Sequence, residues 1–160
     1  EARHGAGFIH RSLANLQVGG NLSLFNSEVT IAPAELTLRR ALIANAPDRR
    51  PLQGQSPFLL NLDLGYDNFE TGMGVSLFYN LFGRRLDEVS LGGTPDVFEE
   101  ARGTMDMTFS QQWHSYKIKF KANNLLDAPI QKAYRYQGVD YIANHHQKGR
   151  SFSLSLSYNR

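Results

Sequence analysis

Cysteine is absent from all 160 residues and tryptophan occurs once. The chain therefore relies on no disulfide, which suits a cytosolic protein and an exported one equally and assigns no compartment. No run of about 18 apolar residues occurs, so no transmembrane helix can be built. Excess charge is scarce too. Seventeen Lys and Arg against 15 Asp and Glu leave a net charge of +2, too little to point to a nucleic-acid partner even at a pI near 9.0. Hydrophobic residues at 41% and a mean hydropathy of -0.39 read at first as a soluble domain. They do not exclude a membrane barrel, whose strands need only about 9–11 residues with alternate ones facing lipid. Neither an initiator Met nor a signal peptide precedes Glu1-Ala2-Arg3, so this start is expected to be a processed or truncated end.

Signatures of catalysis are missing as well. Gly72-Met73-Gly74 lacks the third glycine and the helix of a dinucleotide site, and no Walker-type lysine occurs. Glu99 and Glu100 are adjacent on an extended segment, so their carboxylates diverge and form no general acid–base pair. No Ser, His and Asp sit in a recognised local motif. The expectation is a non-enzyme without cofactor or metal.

What the sequence does have is period-two alternation, the mark of a strand with two unlike faces. Leu16, Val18, Leu22 and Leu24 share one face against Gln17, Gly19, Asn21 and Ser23. Phe58, Leu60, Leu62, Leu64 and Tyr66 oppose Leu59, Asn61, Asp63 and Gly65; Met73, Val75, Leu77, Tyr79 and Leu81 oppose Gly74, Ser76, Phe78 and Asn80. Met105, Met107 and Phe109 oppose Thr104, Asp106, Thr108 and Ser110. Tyr116, Ile118, Phe120 and Ala122 alternate with Lys117, Lys119 and Lys121, and Phe152, Leu154, Leu156 and Tyr158 with four serines. Six strands are thus expected. The segment Gly72–Leu91 reads as a single strand of about 65 Å, at about 3.3 Å per residue longer than any bilayer core requires. After Leu24 the apolar parity switches to Phe25, Val29 and Ile31, which predicts a bulge or a departure from lipid.

Link lengths alternate. Asp67–Thr71 and His114–Ser115 are tight, whereas Ala32–Pro57, Gly92–Glu100 and Asp127–Arg150 are long, and Gly92-Gly93-Thr94-Pro95-Asp96 has turn composition. Outer-membrane barrels have short periplasmic turns and long extracellular loops. On that orientation Tyr66, Trp113, Tyr116 and Tyr158 all fall at periplasmic strand ends on the apolar face, where a membrane-interface girdle belongs. Lys117, Lys119 and Lys121 would face the lumen with Asp63 and Asp106. They either favour an anionic solute or, as single-sign rows beside opposite charges usually do, neutralise those aspartates or the acids of a plug inside the barrel. Tyr134, Tyr136, Tyr141, His145 and His146 lie in the last long link as candidate extracellular ligand contacts. The two histidines are adjacent and lack the spacing that shares a metal. Arg39, Arg40, Arg49 and Arg50 bracket the first long link, as contacts for lipopolysaccharide phosphates or an acidic ligand, or as a solvated loop base.

The residues also resemble a known family. The run Arg50-Pro51-Leu52-Gln53-Gly54-Gln55-Ser56-Pro57-Phe58, then Ser76-Leu77-Phe78-Tyr79-Asn80-Leu81-Phe82-Gly83-Arg84-Arg85, then Pro95-Asp96-Val97-Phe98-Glu99-Glu100 is similar to the C-terminal barrel of TonB-dependent receptors. Asn124-Leu125-Leu126-Asp127 and Gly149-Arg150 extend the resemblance over nearly the whole chain. It implies an all-β, antiparallel transmembrane barrel of about 22 strands closed by a plug, of which residues 1–160 supply about the last six. It further implies an outer-membrane receptor that takes up a scarce nutrient such as a siderophore, a vitamin or an oligomer. Its partners would be the remainder of the barrel and plug, in the same or a separate chain, a TonB-type energy-coupling protein reached through the missing part, and outer-membrane lipid and lipopolysaccharide. Arg160 stands where the family has a terminal aromatic. The alternatives are a barrel module with a structural or interaction role in an envelope assembly, and a soluble β-sandwich, against which the one-ended aromatics argue.

Overall fold

A computed structural model describes residues 2–5, 14–90 and 94–159. Residues 91–93, within the expected turn and strand end, and Arg160 lie outside the described residues. Along the chain come β1 (Ala2–Gly5), β2 (Leu16–Leu24), a short β3 (Val29–Thr30), α1 (Pro33–Leu42) and β4 (Arg49–Arg50). There follow β5 (Phe58–Asn68), β6 (Met73–Phe82), β7 (Arg85–Glu88), β8 (Val97–Glu99) and β9 (Arg102–Trp113). The last are β10 (Tyr116–Asn123), β11 (Ile130–Tyr136), β12 (Val139–His146) and β13 (Ser151–Tyr158). The chain is all-β and antiparallel with one short helix, and among the described residues no helix is long and apolar enough to cross a membrane.

The main sheet has seven strands in the order β1-β2-β5-β6-β9-β10-β13. The six strands expected from alternation lie within β2, β5, β6, β9, β10 and β13; the seventh, β1, reads Ala-Arg-His-Gly and carries no alternation to find. Register aligns the faces across the whole sheet. Val18, Leu64, Leu77, Met107, Ala122 and Phe152 form one cross-strand row, and the adjacent row is Gln17, Gly65, Ser76, Thr108, Lys121 and Ser153. Because successive side chains point to opposite faces, such pairs of rows put mostly apolar groups on one side and mostly polar groups on the other, with Leu59, Phe78 and Phe82 as apolar members of the polar face. A slip of one residue in any strand would exchange the two sets.

The short links are the two turn-end hairpins and the long links carry further structure. At the loop end β12-β11-β8-β7 form a second sheet and β3 pairs with β4. The expected single strand from Gly72 to Leu91 is therefore corrected. The main sheet loses it at Phe82, and after Gly83-Arg84 the chain joins the second sheet as β7. The break has a local cause. Gly83 N–H donates to the Phe58 carbonyl (3.1 Å), and the Ser56 hydroxyl bridges the carbonyls of Phe58 (2.7 Å) and Gly83 (3.0 Å). The parity switch after Leu24 coincides with the end of β2, where the chain leaves the main sheet, and Ile31 is buried at the loop end.

These contacts also join the segments that carry the family resemblance. Gly54 N–H donates to the Leu86 carbonyl (2.7 Å) and the Gln53 amide to the Asp87 carbonyl (2.7 Å), so the Pro51–Phe58 run closes on the Gly83–Asp87 run. Asn124 N–H donates to Asp106 Oδ1 (2.8 Å), Asn124 Nδ2 to the Gly149 carbonyl (2.8 Å) and Arg150 Nε to the Leu125 carbonyl (2.8 Å). The core sits here as well. Leu86 is fully buried and Ile31, Ala46, Phe82 at the end of β6, Ile130 and Ala133 nearly so, whereas elsewhere on the main sheet Ala122 alone among the described hydrophobic residues is comparably covered. Ser56→Ala leaves the buried Gly83 carbonyl without the hydroxyl donor, while the Phe58 carbonyl keeps the Gly83 N–H, and is expected to cost about 1–3 kcal/mol. Faster proteolysis of residues 51–57 with an unchanged main sheet would register it.

Candidate functional site

On the polar face of the main sheet Asn21, Asn61, Asn80 and Thr104 form one row, with the Asn80 amide donating to Asn61 Oδ1. The next row toward the turns holds Gly19, Asp63, Phe78 and Asp106. The Asp63 carboxylate lies over Gly19, so a Cβ there would have to displace it. These rows line an open groove of about 290 Å³.

Lys117, Lys119 and Lys121 stand on this same face, opposite Gln112, Ser110 and Thr108 of β9 and Ser157, Ser155 and Ser153 of β13. The expected neutralisation by Asp63 and Asp106 is not formed: among the described residues none of the three ammoniums makes an ion pair. Register is the reason. Asp106 lies beyond the Thr108–Lys121 pair, where it accepts from Asn124, and Asp63 is on β5, three strands away from β10.

Of the four girdle aromatics, Trp113, Tyr116 and Tyr158 share one cross-strand row, with the Tyr116 and Tyr158 rings 5.2 Å apart. Tyr66 lies opposite Val75, and Val75 opposite Phe109, so Tyr66 is offset by four residues from the row of Trp113. All four lie toward the turn end of the apolar face.

In the second sheet the Tyr134 and Tyr141 rings stack at 5.4 Å, and Tyr136 pairs with Val139 at the hairpin tip. The tip is a two-residue turn, Gln137-Gly138, with φ of +50° and +81°, the type I′ geometry for which the glycine is suited. His145 and His146 pair with Gln131 and Ile130 at the other end of β12, so the five expected contacts split into an aromatic tip and a histidine base. His146 Nδ1 lies 3.0 Å from Asn144 Oδ1. Among the described residues no cluster of His, Asp or Glu would hold a metal ion. Lys132 bonds Asp87 (2.6 Å) and reaches Glu88 (3.6 Å), tying β11 to β7; the hydrogen bond to Asp87 raises its pKa above the ordinary lysine value.

The structure also assembles a site that sequence spacing did not reveal. Arg39, Arg49 and Arg50 meet Arg84 and Arg135 around a cavity of about 220 Å³. Arg40 is not among them and turns toward the Ala46 carbonyl (3.4 Å). Prolines 47, 51 and 95, with Ile43 and the Phe98 ring, complete the wall, and Asp96 is its single carboxylate. No family model, curated protein or solved structure matches this chain. Geometry alone must therefore carry the functional reading.

The sequence treats residues 33–42 as loop, and the structure makes them α1, which aims Arg39 at the cavity. Its signals were Pro33 in the first turn, Glu35 behind it, and Arg39 and Arg40 in the last turn. Arg39 donates to Asp96 Oδ1 (2.7 Å), and this bond holds the guanidinium pKa above its ordinary value despite the opposing effect of burial. Arg50 pairs with Glu35. Arg84 Nε donates to Glu100 (2.9 Å) while its plane lies 4.3 Å over the Phe98 ring.

Proposed function

We propose that this chain is a section of the wall of an outer-membrane β-barrel of the TonB-dependent receptor kind, with its turn end in the periplasm and its loop end forming part of an extracellular vestibule for nutrient uptake. The supporting observation is the apolar face of the main sheet. Twelve of its large residues, from Val18 and Leu22 through Leu62 and Trp113 to Leu156 and Tyr158, are between 41% and 74% exposed. Soluble monomers rarely expose a contiguous apolar patch beyond roughly 300–600 Å². Lipid would cover this face, and water the face of Asn, Ser, Thr, Asp and Lys behind it.

Two further features agree with a barrel wall. The four-residue offset of Tyr66 from the row of Trp113, Tyr116 and Tyr158 arises between β5 and β9, so the aromatics step along the strands across the sheet, as a girdle on tilted strands must. In addition, β1 and β13 each have one unpaired edge among the described residues, and an open edge at membrane depth must find a partner strand. The remaining barrel strands would supply it. Lys117, Lys119 and Lys121 would then face the lumen as an unneutralised stripe that attracts acidic groups.

Membrane extraction tests the reading. The intact protein is expected to stay in the outer-membrane fraction through alkaline carbonate and urea washes, and to migrate differently in detergent gels before and after boiling. Release into the wash as a folded, water-soluble species would overturn it.

A further inference from the structure

Five arginines and one carboxylate face the cavity between α1, β4, Arg84 and Arg135. Of the five acids that pair with these arginines, Glu28, Glu35, Glu100 and Asp140 lie outside the lining, and Asp96, the partner of Arg39, lies within it. The arginines fall into two sets. Arg39 and Arg50 are largely buried and committed to Asp96 and Glu35; even so, Arg39 Nε is buried with no acceptor. Arg49, Arg84 and Arg135 are 61%, 41% and 66% exposed, and each meets a single carboxylate oxygen, at 3.1, 2.9 and 3.7 Å.

An exposed pair of this sort contributes little, so an incoming oxyanion displaces it at small cost. A guanidinium carries five N–H donors in a rigid fork suited to phosphate or carboxylate oxygens, and the outer three arginines keep most of theirs free. The Phe98 ring fixes the plane of Arg84, and the prolines at 47, 51 and 95 leave little backbone freedom to lose on binding. The volume of about 220 Å³ falls below the roughly 300–1,000 Å³ of pockets for drug-sized ligands, which selects one compact group. We infer that this cavity binds a compact multivalent oxyanion, a phosphate ester or a small polycarboxylate, either as a free solute or as the head of a phosphate-bearing lipid. That the anion arrives from outside the cell rests on the function proposed above; the site itself does not.

Calorimetry on the intact protein in neutral detergent, with pyrophosphate and citrate as probes, tests this. One equivalent of either probe should bind saturably, more weakly as NaCl is raised, and about tenfold more weakly for each of Arg84→Gln and Arg135→Gln. Arg135→Gln removes a 3.7 Å surface pair and an exposed hydrogen bond to the Gly138 carbonyl (3.4 Å), so its effect stands even where Arg84→Gln folds poorly. If neither probe binds but native mass spectrometry finds a phosphate-bearing lipid retained by the wild type and lost from the variants, the anion is a lipid head and the inference stands. Absence of both, or binding unchanged in both variants, overturns it. A protein that survives carbonate and urea washes yet binds no anion defeats this inference alone, and a water-soluble protein that binds pyrophosphate defeats only the membrane reading.

Discussion

Leu62→Arg is expected to destabilise the folded protein by about 2–4 kcal/mol, the cost of a cationic side chain near the midplane on the lipid face of a barrel. Leu62 sits between Gly20 and Tyr79 in its cross-strand row, four residues from Tyr66 along β5, and is 45% exposed. In a water-soluble protein the same exchange at so exposed a site would fall within about 0.5 kcal/mol of neutral. The matched control is Ser76→Arg on the opposite face, where an added charge meets the water-facing rows and should change stability by about 0.5 kcal/mol or less. Urea unfolding in bilayers or detergent, followed by the heat-sensitive gel shift, measures both. Equal tolerance of the two substitutions would mean that lipid does not cover the apolar face.

The main sheet was legible in the sequence because its two faces are unlike. Strands such as Phe58–Tyr66 and Tyr116–Ala122 alternate strictly, and the structure pairs them so that like residues align across six strands. The loop end offered no such signal. β8 has three residues, β7 reads Arg-Leu-Asp-Glu, and every residue of β12 is exposed, so no solvent-to-core contrast imposes a period. Alternation also ran through Gly83 unmarked, because the break depends on Ser56, distant in sequence. The arginine cavity was hidden for a related reason. Residues 39, 49, 50, 84 and 135 come from segments that only the folded loop end brings together, and Arg84 and Arg135 belong to no local pattern that spacing could flag. The lysine row was legible, but face alone does not say which strand lies alongside, and among the described residues no ion pair joins it to Asp63 or Asp106.

Packing is divided between the two ends of the molecule, and the division identifies the residue with the next largest expected effect. The main sheet is paired by backbone and has almost no side-chain core, whereas the loop end gathers its core around Leu86 and Phe82 and must hold charged groups within it. Glu99, 5% exposed, is the hub. Its Oε2 accepts from Arg85 Nε (2.9 Å) and Nη2 (2.6 Å), and Arg102 Nε lies 4.0 Å from its Oε1. Both guanidiniums also lie over the Phe82 ring, at 4.6 and 5.3 Å. Glu99→Gln keeps the shape and removes the only carboxylate among the described residues in reach of Arg102, which is 18% exposed and whose Nε already lacks a hydrogen-bond acceptor. Breaking one side of a buried pair costs about 3–5 kcal/mol; because Arg85 is a third exposed and can hydrate, the lower end of that range is expected. The loss should be local. β8 pairs with both β7 and β11, so the second sheet should open and its β11–β12 hairpin become rapidly cleavable, while the seven-strand sheet keeps its heat-sensitive gel shift. Glu100→Gln removes an exposed pair with Arg84 and should leave cleavage unchanged. Equal protection of Glu99→Gln and the wild type would show that the loop-end sheet does not depend on this buried charge.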